Sequence, residues 1–210
     1  MKARRSLLFA LLTSLALPAA AVSHASDARA AVSFAITYDD IVKDSEAVAI
    51  VTPLEQRSVW EDNRIVTYTR LRVEEGVAGS LATGGETWVR TLGGAVGKIG
   101  QLVEGEPVFV QGKSSLIFAR AGRPGTFSVV ARAQGQFPVL VDPATRRRSL
   151  LRNANVGLLL ARAQPTQSGG VAPASQGAMA IAVVAVDALH GRGLEDVTRE
   201  LVVKWRDLHK

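Results

Sequence analysis

The stretch SVWEDNRIVTYTRLRVE, residues 58–74, decides the fold class. In it Ile65, Thr67, Thr69, Leu71 and Val73 fall on one side, and Val66, Tyr68, Arg70, Arg72 and Glu74 on the other. Side chains of a strand point alternately to its two faces, so this alternation predicts one face turned inward and one toward water. Ser58-Val59-Trp60 precede it, and the polar connection Glu61-Asp62-Asn63-Arg64 between them reads as the tip of a hairpin. Trp60 and Tyr68 are expected to be neighbours across that hairpin. With Trp88 they offer part of a recognition face, although cross-strand packing accounts for them equally well.

Short β-branched runs surround this hairpin. Residues 47–52 (AVAIVT) form a buried strand ended by Pro53, and residues 87–91, 108–110, 115–119 and 127–131 continue the series. Gly84-Gly85, Gly112-Lys113 and the GRPG of residues 122–125 supply turns between them. Residues 137–141 and 148–151, joined by DPAT, add a further hairpin. Short strands at this spacing predict a mainly β fold, an antiparallel OB-like barrel that is closed or partly open. A short helix near residues 38–45 leads into the first strand. Leu194, Val197, Leu201, Trp205 and Leu208 recur at helical spacing, with Glu195 and Asp196 in the first turn and Lys204, Arg206 and Lys210 toward the end. This C-terminal amphipathic helix must pack on the barrel to bury its apolar stripe. Residues 164–178 have almost nothing to bury and are expected to be a flexible loop or linker. They separate a β-barrel domain, 26–163, from a last segment, 179–210, in which residues 179–186 look strand-like before the helix.

At the N-terminus Lys2, Arg4 and Arg5 precede an apolar run of residues 7–17 that ends at Pro18, followed by small residues. This is the layout of a secretory signal peptide, and the run is well short of the about 20 residues a membrane-spanning helix needs. Cleavage after Ala21, Ala25 or Ala30 satisfies the small-residue preference. Ala25 is taken, making residues 1–25 the leader and the product periplasmic or extracellular. Its removal takes three cations and no acid, lowering the formal charge from +6 to +3, a weak basicity that does not point to nucleic acid. No later segment is apolar and long enough to span a membrane. The chain has no cysteine, so neither a disulfide framework nor a thiolate site is available. Of three histidines, His24 falls in the leader, leaving His190 and His209.

Residues 91–112 (TLGGAVGKIGQLVEGEPVFVQG) hold six glycines, a density that invites comparison with phosphate-binding loops. A P-loop needs G-x-x-x-x-G-K-[ST], but Gly97-Lys98 is followed by Ile99 and Leu92 stands where the first glycine belongs. Gly94, Gly97 and Gly100 are spaced by three, which also fails the dinucleotide fingerprint. Gly93, Gly94, Gly97, Lys98 and Gly100, with Glu104 and Glu106, are therefore assigned to a structural or binding loop in which glycine permits tight bends. No cofactor or metal is expected.

Glu104 and Glu106, with Glu86, are the carboxylates available for acid/base work or a cation. Gly105 and Pro107 interrupt that segment, and solvated loop charge is the simpler account. Arg146, Arg147, Arg148 and Arg152 form the basic cluster that would meet an anion, but no aromatic is interleaved with them as a nucleic-acid platform requires. A serine hydrolase would need a base beside its nucleophile, and the chain contains neither a G-x-S-x-G elbow nor an H-E-x-x-H zinc motif.

Residues 45–141, through DSEAVAIVTPLEQRSVWEDNRIVTYTRLRVEEGVAG, GGETWVRTLGGAVGKIGQLVEGEPVFVQGKSSLIFA and FSVVARAQGQFPV, resemble a group of uncharacterised exported bacterial β-rich proteins. Gly93-Gly94, Gly97, Gly105-Glu106-Pro107, Gly112 and Gln134-Gly135 are the most specific pieces. More distantly, the strand, long hairpin, VEEGVAG connection and later strand pair resemble the five-stranded OB barrel of tissue inhibitors of metalloproteinases. That family chelates its target's zinc through an N-terminal cysteine, which this chain lacks, so the resemblance implies architecture alone. The expectation is an exported, non-catalytic binding or accessory module acting on an unknown protein partner such as a secreted protease. The alternatives are an envelope hydrolase using Glu86, Glu104 or Glu106, and an anion or polysaccharide binder using the arginine cluster.

Overall fold

The computed structural model describes residues 32–161 and 183–210; the expected leader and the 164–178 linker lie outside these residues. Eleven strands and three α-helices follow in the order β1 (Val32–Phe34), α1 (Tyr38–Lys43), β2 (Ala47–Glu61), β3 (Arg64–Gly79), β4 (Glu86–Leu92), β5 (Gly94–Val96), β6 (Ile99–Gln101), β7 (Ser115–Ala121), β8 (Phe127–Val129), β9 (Gln136–Val141), β10 (Arg148–Leu150), β11 (Leu158–Leu160), α2 (Ala185–Leu189) and α3 (Leu194–Leu208).

The barrel is closed by hydrogen bonds. Antiparallel ladders join β7 to β2, β2 to β3 and β3 to β4, then β4 pairs parallel with β8 and β8 antiparallel with β7. Five strands thus form a ring without a free barrel edge, the topology of an OB-like barrel. Beyond it, β9 pairs with β7 and β10 with β9.

The long hairpin of β2 and β3 carries the frame. The alternation read from the sequence holds from Thr69 to Glu74, with Thr69, Leu71 and Val73 buried and Arg72 and Glu74 exposed; nearer the tip Ile65 and Val66 are both buried, and Thr67 only partly so. Its tip is tighter than the four-residue connection expected. Glu61 pairs with Arg64, and only Asp62 and Asn63 turn the chain, both left-handed at φ 48° and 60°. Short polar Asp and Asn tolerate that region and match the twist of the flanking strands.

Two boundaries read from proline and glycine fail in the same hairpin. Pro53 does not end the first strand, because β7 pairs with β2 only as far as Val51 and a missing N–H costs nothing on an unpaired edge. The VEEGVAG segment is the end of β3, where register shifts between Val48 and Ala49 and between Ile50 and Val51 absorb the bend.

The sheet has two cores. Inside the barrel lie Ala47, Ala49, Val51, Leu71, Val73, Val89, Phe109, Ile117 and Ala119. On its outer side Val48, Ile50, Leu116 and Phe118, with Phe137 and Leu150, meet Ile41 and Val42 of α1, Leu189 of α2 and Leu194, Val197 and Leu201 of α3. The C-terminal helix therefore packs as its apolar stripe requires. Thr37 caps α1 by accepting from the Asp40 N–H at 3.0 Å, and Arg192 holds Glu200 of α3 at 2.7 Å. That hydrogen bond keeps the Glu200 carboxyl below the usual glutamate range. Burial, and then the Glu200 charge, push the Tyr38 phenol far above its ordinary value.

Of the expected strand-like run 179–186, residues 179–182 lie outside the described residues; Val184 makes a single bridge to Thr37, and Ala185 begins α2, since Ala185, Val186 and Leu189 bury one helical face. One other expected strand differs. Residues 108–110 form no strand. The side-chain amide of Gln136 takes the place of a ladder partner there, accepting from the Val108 N–H and donating to its C=O, each at 2.8 Å.

Candidate functional site

The glycine-rich segment is a hairpin. β5 and β6 pair antiparallel around a turn at Gly97-Lys98, in which Gly97 has φ +61° and open space beside it. Gly94, at φ +126°, lies where a β-carbon would meet the Thr67 and Ser58 hydroxyls at 2.2 and 2.4 Å. Gly93 precedes the hairpin, Gly100 lies within β6 opposite Ala95, and Lys98 stands exposed at its tip. Glycine here permits bending and close approach within a sheet.

The three carboxylates have separate surroundings. Glu86 is exposed on β4 beside Arg70 and Arg72. Glu104 is exposed on the loop that follows β6. Glu106 is no solvated loop charge: only 9 % exposed, it accepts from the Leu92 N–H at 2.9 Å and binds Arg132 through its other oxygen. A carboxylate so far from water persists only with such partners. Among the described residues no group of three or more His, Cys, Asp or Glu could hold a metal ion.

The arginine cluster is divided by the fold. Arg146 and Arg147 are exposed at the turn after β9, Arg148 binds Glu195 of α3 at 2.8 Å, and Arg152 donates to the Val156 and Gly157 carbonyls at 3.2 Å. His190 accepts from the Arg152 N–H at 3.0 Å, so its ring serves a loop contact.

An apolar site lies on the outer face of β2, β3 and β4. Trp60 is not part of it: it pairs with Ile65 on the opposite face from Tyr68, whose cross-strand partners are Arg57 and Arg90. Trp88 pairs with Arg70, one step along β4 from Arg90 on the same side. Arg57, Val59, Tyr68 and Trp88 line an open slot of about 360 Å³ with almost wholly apolar walls.

One carboxylate holds this face in place. The Tyr68 hydroxyl donates to Glu61, Arg90 donates to Glu61 through Nε and Nη2 at 3.2 and 2.8 Å, and Arg123 reaches Glu61 at 3.2 Å and Asp62 at 2.9 Å. The tip of the β2–β3 hairpin is thereby tied to the turn between β7 and β8. The hydrogen bond from Tyr68, then that from Arg90, hold the Glu61 carboxyl below the usual glutamate range, and the same bond raises the Tyr68 phenol. A depressed carboxyl contributes stability above its unfolded value and loses it as pH falls through the folded one. The Tyr68 ring resonances should therefore hold their positions on acidification until Glu61 protonates, below the range of an ordinary glutamate. A carbon-detected NMR titration checks this, and a Glu61 midpoint at the ordinary value would contradict it.

No family model, curated protein or solved structure matches the chain.

Proposed function

We propose that the protein is an exported, non-catalytic binding module whose ligand face is the outer surface of β2, β3 and β4, and that the occupant is a protein partner. The observation that carries this is the apolar slot between Tyr68 and Trp88. It is concave, it stands on paired strands, and its tyrosine is fixed by a carboxylate that is itself held by two arginines. Binding surfaces gain when their aromatic groups are ordered before the partner arrives.

The surroundings favour a protein occupant. Glu55, Arg70 and Glu86 form a mixed-charge rim beside the apolar centre. An aromatic centre within a polar rim is the anatomy of a protein interface, and Tyr, Trp and Arg are the residues that dominate its energetics. The leader-like residues 1–25 support export, and no helix among the described residues is long and apolar enough to cross a membrane.

The test is affinity capture from native secreted and envelope fractions, using the mature chain and a Tyr68→Ala/Trp88→Ala variant. Both side chains are only partly buried on the barrel's outer face, so the variant should keep its far-UV spectrum. A partner retained by the parent should be depleted at least about tenfold with the variant, as expected when two aromatic anchors are removed. Equal recovery of every captured protein by the two chains would refute the assignment of this face.

A further inference from the structure

Around the barrel from the aromatic slot, β4, β8 and β7 meet at the seam that closes the ring. The parallel pairing of Val89 with Phe127 sets the next residues, Arg90 and Ser128, side by side on the outer surface. The antiparallel pairing of β7 with β8 sets Ser128 opposite Arg120. Arg90, Ser128 and Arg120 thus form a row across three strands. Arg132 enters from the short 3-10 turn Arg132–Gly135, and the four side chains line a recess of about 170 Å³ together with Glu106 and Pro107.

The charges in this recess do not balance. Glu106 is its one carboxylate and is already taken by the Leu92 N–H and Arg132 Nε. Arg90 spends Nε and Nη2 on Glu61. Arg120 makes no ion pair, and the Ser128 hydroxyl no hydrogen bond, with any other described side chain. Arg90 and Arg132 therefore keep donors beyond those given to Glu61 and Glu106, and Arg120 brings a whole guanidinium group with no carboxylate of its own among the described side chains. Arg132 is held there at a cost, because it and Ala131 are consecutive non-glycine residues at φ 58° and 52°.

We infer that this recess binds a tetrahedral oxyanion, a sulfate or phosphate group, between Arg90, Arg120 and Arg132 with the Ser128 hydroxyl as an additional donor. Guanidinium groups approaching from three elements suit an acceptor whose oxygens diverge, and charge-assisted hydrogen bonds of this kind are the strong ones. The site is separate from the arginine cluster near residue 146 and does not depend on what fills the aromatic slot.

Sodium sulfate, sodium phosphate and sodium methyl phosphate are titrated into the isotope-labelled full chain at constant ionic strength, with chloride as the balancing ion. The expected result is saturable shifts in the Ser128 amide and the Arg90, Arg120 and Arg132 Nε signals. Arg120→Gln should weaken binding at least about tenfold. Ser128→Ala should weaken it less, and Arg147→Gln should leave it unchanged. Equal binding of methyl phosphate assigns the site to an esterified group on a larger molecule; its failure, with the inorganic ions retained, assigns it to the free ion. Linear shifts spread over all exposed arginines, or binding unaltered in Arg120→Gln with that variant's spectrum otherwise intact, would overturn the inference.

Discussion

Gly135→Ala should destabilise the protein by about 3 kcal/mol or more, lowering its melting temperature by roughly 6–12 °C. A β-carbon at this buried position would lie 2.1 Å from the Val130 carbonyl oxygen, 3.0 Å from Val129 Cγ1 and 3.2 Å from the Val130 carbonyl carbon. The obstruction is mainly backbone, which cannot swing aside as a side-chain tip does. Relief requires the 3-10 turn to move away from β8, which disturbs the Gln134 amide bridging Phe34 and Ile36 and the Arg132 contact with Glu106. Gly97→Ala gives the contrast: its φ of +61° is unfavourable for alanine, but nothing lies near its β-carbon, so about 1 kcal/mol is expected. Chemical denaturation of the two variants measures both effects, and equal midpoints would show that the close approach at Gly135 is not what holds this turn.

The second large effect is expected from Gln136→Leu, which keeps volume and removes the amide. Gln136 is 1 % exposed, and its two polar atoms serve the Val108 N–H and C=O, the Asn153 side chain and the Ser115 hydroxyl. Leucine leaves several of these without partners in a place water reaches poorly, at about 1–3 kcal/mol for each group so stranded. A total of about 3–4 kcal/mol is expected, together with faster hydrogen exchange centred on Val108, whose N–H and C=O the amide serves. Unchanged exchange at Val108 would show that Phe109 in the barrel core and the bonds from Gln56, Gln111 and Asn155 hold the loop without the amide.

Legibility in the sequence follows how far apart the interacting groups lie along the chain. The alternation from Thr69 to Glu74 is local, and it placed the inward face, while the apolar spacing from Leu194 to Leu208 placed the helix. Pro53 and the VEEGVAG glycines misled because each is a turn signal that an unpaired edge or a register shift also accommodates. Residues 108–110 looked like a strand because nothing local shows that a glutamine 28 residues later will act as their ladder partner. Tyr68 is legible as a face residue, but Trp60 stands opposite Ile65 whether the connection is read as four residues or two, which puts it on the other face from Tyr68. The parity of the strand, counted from the Asp62-Asn63 turn, is the signal that separates them. The arginines near residue 146 cluster in the sequence and scatter in space. Arg90, Ser128 and Arg120 are brought side by side by the closing pairs β4–β8 and β7–β8, and Arg132 joins them from the 3-10 turn.

The two-sided burial of β2 and β7 bears on how such a chain is made. Their inward residues can be satisfied once the ring closes, but Val48, Ile50, Leu116 and Phe118 are fully covered only when α1, α2 and residues 194–208 have all docked on them. A chain in which the ring closed before that covering arrived would carry a bare greasy flank, the kind of surface that self-associates. The α3 helix is thus the latch that removes this exposure.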